Sequence, residues 1–227
     1  MFVHVETRRK PKPPWATILL VATSVLAFFW LALQPPDTRF QLLNRWGTVP
    51  AQLFDTTTPL LRQLLELRLL RLVTALFVHA DWLHLTGNLL FLMIFGLSAE
   101  RMLGSRRFLG LYIVGGAIAN LAGAFTLPET SAPIVGSSGA VSAIVGAYVA
   151  LFPRARLGLV LPLGLFLEFV KIPASLLIGF WVLPQLLFTY VGPAFGAVVW
   201  WTHIAGFVVG VAFALISRPA IARRLRN

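Results

Sequence analysis

Six stretches of this chain, at about residues 15–33, 82–99, 108–127, 138–152, 172–190 and 198–216, are apolar over lengths suited to crossing ~30 Å of hydrocarbon. A segment in lipid must satisfy its backbone N–H and C=O groups internally, so such segments are expected to be helices. The expected architecture is an all-α polytopic membrane protein, a six-transmembrane-helix bundle with a long membrane-associated first outer loop. With 58% hydrophobic and 12% charged residues, the chain is too apolar for a water-solvated domain. The net charge of +11 sits in short basic clusters between apolar runs, so the lipid bilayer is the expected partner and nucleic acid is not. With no cysteine, disulfides and thiolate chemistry are excluded.

The charges divide the chain into a cytoplasmic basic tail (1–14), a membrane domain (15–216) and a second cytoplasmic basic tail (217–227). With the amino terminus inside, Arg8, Arg9, Lys10, Lys12, Arg101, Arg106, Arg107, Arg154, Arg156, Lys171, Arg218, Arg223, Arg224 and Arg226 all fall on the cytoplasmic side. That is fourteen of the 19 Lys and Arg residues. Both termini are therefore expected in the cytoplasm of a prokaryote, with the protein integral to its plasma (inner) membrane. The first span follows a basic stretch as a signal peptide would, but it runs into Gln34-Pro35-Pro36 with no small-residue cleavage site. Residues 154–171, apolar but broken by Pro162 and bounded by charges, read as a segment lying at the cytoplasmic interface.

Polar side chains are costly inside such spans and therefore informative. Spans two, four and six all enter from the outer side, so His84, Asn88, Ser138 and His203 share one layer of the membrane. Span four is short, about 21 Å from Ser138 to Phe152. The irregular stretch ahead of it must therefore descend into the membrane and line a wet cavity or be buried in protein. Small residues recur along Ser138, Ser142, Gly146 and Ala150, and Gly206 and Gly210 form a close-approach pair on the face of span six that carries His203. Packing of those two faces would make Ser138 and His203 neighbours. A serine needs a base to become a nucleophile, and histidine has the fitting pKa, so the set points to acyl transfer by a Ser138–His203 dyad. His84, Asn88 and the Ser138 amide are the candidate oxyanion donors, and Asp81 is a remote third member. Glu100 and Arg101 read as an interfacial charge pair. Each element alone has a simpler meaning: Gly-x-Ser-Gly as a packing turn, Asn88 as interhelical glue, His203 as a satisfied hydrogen-bonder. Their coincidence in one layer favours the chemical reading.

The stretches HADWLHLTGNLLFL, ERMLG, GSSGAVSAIVGA and HIAGFVVG, in that order, resemble the rhomboid family of intramembrane serine proteases. The resemblance covers about residues 15–216. It implies Ser138 as nucleophile, His203 as general base, and His84, Asn88 and the Ser138 amide at the oxyanion. His79, Gly136, Gly139 and Gly206 are structural on this reading, and neither metal nor cofactor is implied. The implied substrates are membrane proteins with a transmembrane helix, cut where the helix unwinds, with access beside span five at Phe180, Trp181 and Phe188. Three positions depart from the family pattern. Leu70-Arg71 stands where Trp-Arg is common, Thr202 replaces the usual alanine, and Ser142 occupies the site of a tyrosine against which the histidine stacks. Two alternatives stay open: a catalytically silent relative that binds transmembrane helices, and a transporter or metal site built on His79, His84 and His203. The absence of an inverted repeat and of a carboxylate within a span counts against the latter.

Overall fold

The first apolar run forms α1 (Trp15–Ala32), a helix that turns Ala16, Leu20, Phe28 and Leu31 inward while Ile18, Leu19, Leu26 and Phe29 face out. An apolar outer face of this kind suits lipid. The computed structural model describes residues 13–59, 61–62, 66–163, 166–191 and 200–226; the amino-terminal basic tail to residue 12 lies outside them. α2 (Pro36–Trp46) follows, with Pro36 at its first turn, where a missing N–H costs nothing. Next come α3 (Trp82–Leu103) and α4 (Ser105–Thr126), separated by Gly104 alone at φ +83°. α5 (Ser138–Leu151) comes after an irregular stretch, then a hairpin of β1 (Arg156–Leu163) and β2 (Phe166–Pro173), α6 (Ala174–Val191) and α7 (Trp200–Arg226).

Among the described residues, four helices are long and apolar enough to cross a membrane, namely α1, α3, α4 and α7; α5 is a shorter apolar helix. The fold is mostly helical but not all-α. Where residues 154–171 are expected to lie as an interfacial segment, residues 156–173 pair as an antiparallel ribbon, with Arg156 opposite Pro173 and Leu163 opposite Phe166. The physical reason lies in Pro162, which breaks a helix but is tolerated in a two-stranded ribbon where each strand keeps a free edge. The β-forming Val, Ile and Phe around it favour the same outcome.

α5 is the centre of the bundle. Gly139 to Tyr148 are all buried, and α7, α4 and α3 surround it. Its small-residue face meets α7 almost backbone to backbone. A Cβ at Gly206 would overlap the Gly139 carbonyl, one at Gly210 the Ala143 carbonyl, and one at Gly146 the Phe207 carbonyl. The two helices thus run parallel in one register, as small residues permit. α7 continues beyond the expected end of span six, through Pro219 to Arg226. There Arg224 donates to the carbonyls of Met102 and Arg101, at 2.8 and 3.1 Å, at the end of α3, and Arg218 donates to the Ala150 carbonyl at 3.2 Å at the end of α5. Cations at helix C-termini satisfy orphan carbonyls and suit the helix dipole. Glu100, expected to pair with Arg101, instead caps α1. It accepts from the Ala16 and Thr17 N–H groups at 3.0 and 2.8 Å and from the Thr17 hydroxyl at 2.6 Å. Orphan donors at a buried helix start draw the carboxylate inward.

Candidate active site

The connection between α1 and α3 builds one wall of the site. Its knot is Arg68, 8% exposed. The guanidinium donates to Glu66 at 2.8 Å, to the Gln52 carbonyl at 2.6 Å, to Thr58 at 3.2 Å and to Asp55 at 3.4 Å. Hydrogen bonds from Thr57 and Thr58 hold the Asp55 carboxyl far below the usual carboxylate range, and Arg68 lowers that of Glu66. Sequence reasoning did not single out Arg68; the density of Asp, Thr and Glu partners in the connection was the available signal. Arg71 reaches the Gln52 side chain. From this wall, Thr48 and Ile134 exchange backbone hydrogen bonds at 2.9 and 2.8 Å, and the Gly136 N–H donates to the Ala75 carbonyl at 2.9 Å. The irregular stretch before α5 thereby satisfies its backbone against protein.

That stretch delivers Gly136, Ser137 and Ser138 to the head of α5. Gly136 has φ +104°, and a Cβ there would overlap the His84 imidazole at Cε1 and Nε2. Two independent constraints thus require glycine. Ser137 is buried, and its N–H donates to His79 Nε2 at 3.4 Å while its hydroxyl lies 3.2 Å from the same nitrogen. Nε2 is therefore the acceptor and the ring proton sits on Nδ1. Burial, reinforced by His84 nearby, pushes the His79 pKa down to about 4. The His79 imidazole thus takes a hydrogen bond from the backbone of the residue next to Ser138.

Ser138 is half-buried and opens α5. The Val141 N–H bonds the Ser137 carbonyl at 2.8 Å, so the N–H groups of Ser138 and Gly139 head the helix ahead of its ladder. Next to it, Gly139 faces α7, where a Cβ would lie 2.7 Å from the Thr202 Cγ2 and 2.8 Å from the Ala119 Cβ. Since Gly206 also sits on the Gly139 carbonyl, Ser138 lies level with the α7 turn from Thr202 to Gly206, which carries His203. The departure at Thr202 is a methyl filling the space beside Gly139.

His84 and Asn88 both stand on α3. The Asn88 amide donates to the His84 carbonyl at 2.9 Å, one turn back, and is 8% exposed. His84 packs edge-on to His79 with ring centroids 5.3 Å apart. Asp81, weighed as a third catalytic member, serves instead as the N-cap of α3, where it accepts the His84 N–H at 2.8 Å. Ser142, in the tyrosine's place, donates to the Ser138 carbonyl at 2.6 Å. The His203 ring lies 6.1 Å from Trp181 of α6 and 6.0 Å from Trp200, neighbours that no sequence motif pairs with it. Phe180 is 75% exposed, and the side chain of Phe188 lies outside those described. Among the described residues no group of three or more His, Asp or Glu is placed to hold a metal. The described groups can therefore offer a hydroxyl, imidazoles, an amide and helix-start N–H groups.

Comparison with known proteins gives the family. The rhomboid domain model matches residues 66–220, which run from just before the Arg68 knot into the later turns of α7. The chain is 33% identical over 143 residues to rhomboid protease GluP of Bacillus subtilis (strain 168), covering 62% of this chain and 26% of that one. It is 35% identical over 127 residues to RHOMBOID-like protein 12, mitochondrial, of Arabidopsis thaliana, covering 48% of this chain and 35% of that one. It is also 38% identical over 84 residues to inactive rhomboid protein 1 of Drosophila melanogaster, covering 37% of this chain and 6% of that one. The chain thus spans well under two thirds of the length of these curated relatives. A domain match over most of its length, joined to a helical membrane architecture, shows that this integral membrane protein belongs to the rhomboid family.

Proposed function

We propose that this chain is an intramembrane serine endopeptidase that hydrolyses peptide bonds in or near the transmembrane helices of membrane-protein substrates through a Ser138–His203 dyad. The observation that carries the reading is the backbone-close register of α5 on α7, in which the Thr202–Gly206 turn sits against Gly139. His203 takes the Ser138 proton as Oγ attacks the substrate carbonyl, then returns it to the leaving amine. Water repeats the cycle on the acyl-enzyme, releasing the acid and restoring Ser138. The oxyanion that forms in each half-reaction takes hydrogen bonds from His84, Asn88 and the Ser138 amide.

The reading includes six spans, α5 and α6 joining the four long helices, with both termini in the cytoplasm and the product released outside. The plasma membrane of a prokaryote is the proposed location. A helical peptide bond is paired and flanked by side chains, so substrates should be cut where Gly or Pro weakens the helix. A second reading, a silent relative that binds transmembrane helices, is favoured by Ser142 in the tyrosine's place and by the similarity to a protein named inactive.

Fluorophosphonate labelling of the purified chain, with mapping of the modified residue, separates the two. The protease reading expects the label on Ser138, its loss in Ser138→Ala, and a fall in substrate cleavage by at least ~10³-fold in Ser138→Ala and His203→Ala. An unlabelled wild type that still binds a model transmembrane helix would establish the silent reading instead.

A further inference from the structure

An imidazole has a broad second torsion, so the direction a catalytic histidine points is set by what packs on its ring. In this chain the residue one turn after Ser138 cannot do that. Ser142 spends its hydroxyl on the Ser138 carbonyl at 2.6 Å, and its Cβ faces Gly206, where an added methyl would come within 3.2 Å. Two rings that approach His203 come from elsewhere. Trp181 of α6 lies 6.1 Å away at an interplanar angle of 44°, and Trp200, one turn earlier on α7, lies 6.0 Å away at 79°. Both distances fall in the range of attractive aromatic pairs. Trp181 also packs near Phe91 of α3 at 6.1 Å, and Phe91 near Phe95 at 5.7 Å, so the Trp181 ring has a second aromatic neighbour.

We propose that Trp181 is a positioning residue for His203, with Trp200 a second ring beside it, so that the base is oriented in part from α6. This rests on the hydrolase reading above. A consequence is that the seat of α6 against α3 and α7 sets the fraction of molecules whose base is aligned, because tilting α6 removes one wall of the imidazole.

The test uses the full chain in detergent or bicelles, a model substrate helix, and three variants: Trp181→Phe, Trp181→Leu and Trp181→Ala. Trp181→Leu keeps apolar bulk without a ring, and a thermal midpoint near wild type establishes that it folds. Kinetics then give kcat and KM separately, and the fluorophosphonate rate reports Ser138 reactivity without a helix substrate. The proposal expects Trp181→Leu to lose kcat and labelling rate together by on the order of tenfold at near-constant KM, while Trp181→Phe stays within about threefold of wild type. Trp181→Ala should fall at least as far as Trp181→Leu. Equal kcat for the Phe and Leu variants overturns it, as does a loss confined to KM, which would make Trp181 a substrate contact. Those results leave an active wild type and so strike the positioning role alone. A wild type that neither labels at Ser138 nor cleaves removes the hydrolase reading and this proposal together.

Discussion

At the scale of single residues, the head of α5 depends on atoms that sequence motifs locate but do not orient. Gly136 combines a φ of +104° with a His84 ring where a side chain would begin. Gly136→Ala should therefore destabilise the fold by about 1–3 kcal/mol and displace His84; a thermal midpoint equal to wild type would show that the loop yields without cost. The neighbouring His79 makes stability depend on pH. Its folded pKa of about 4 lies below that of an exposed histidine, so the unfolded chain binds the proton more readily. The contribution is complete above about pH 6.5 and is lost as the pH falls from there to about 4, below which no more is lost. Protonation would also occupy the Nε2 lone pair that accepts from Ser137, with His84 and Asp81 as the nearby groups acting on it. Wild type and His79→Gln compared by thermal unfolding between pH 4 and 7 should differ in slope, with the variant the shallower of the two.

At the scale of elements, the α5–α7 contact is the one on which the site's geometry rests. Gly210→Ala would drive a methyl into the Ala143 carbonyl, and the two helices would have to separate, with an expected cost of about 1–3 kcal/mol and a loss of cleavage out of proportion to it. Gly87→Ala is the control, because a Cβ there meets nothing within 4 Å on an exposed face of α3. It should be neutral or raise stability by up to ~1 kcal/mol, since alanine favours the helix. Equal midpoints for the two variants would mean that the helices are looser than their backbone approach implies. The small-residue pattern on both helices was legible in advance. Which positions on α5 meet which on α7 was not: the contact takes in Ser142 and Gly146 of the row that begins at Ser138 and adds Gly139 and Ala143 beside it.

At the scale of the whole molecule, long-range polar contacts tie together elements that the apolar pattern leaves independent. Glu100 at the end of α3 caps α1 across more than eighty residues of chain. Glu100→Ala should leave the Ala16 and Thr17 donors without their acceptor, at an expected cost of about 1–3 kcal/mol. Hydrogen exchange should show α1 opening before α3 and α4, and uniform protection would refute that order. Arg224 and Arg218 similarly bind the far end of α7 to the ends of α3 and α5, so the carboxy-terminal basic residues are working parts of the bundle as well as topology signals.

The apolar runs by themselves determined that this chain is a helical membrane protein, because lipid leaves the backbone no partner but its own, and the order of Ser, His and Asn motifs determined its family. Only the tertiary structure decided that residues 156–173 form a ribbon, that Arg68 anchors the first connection, that Asp81 and Glu100 cap helices, and that tryptophans surround His203. Those outcomes depend on which surfaces meet at distances of a few ångströms, and no local pattern of hydrophobicity or spacing encodes the partner across a gap of fifty or a hundred residues.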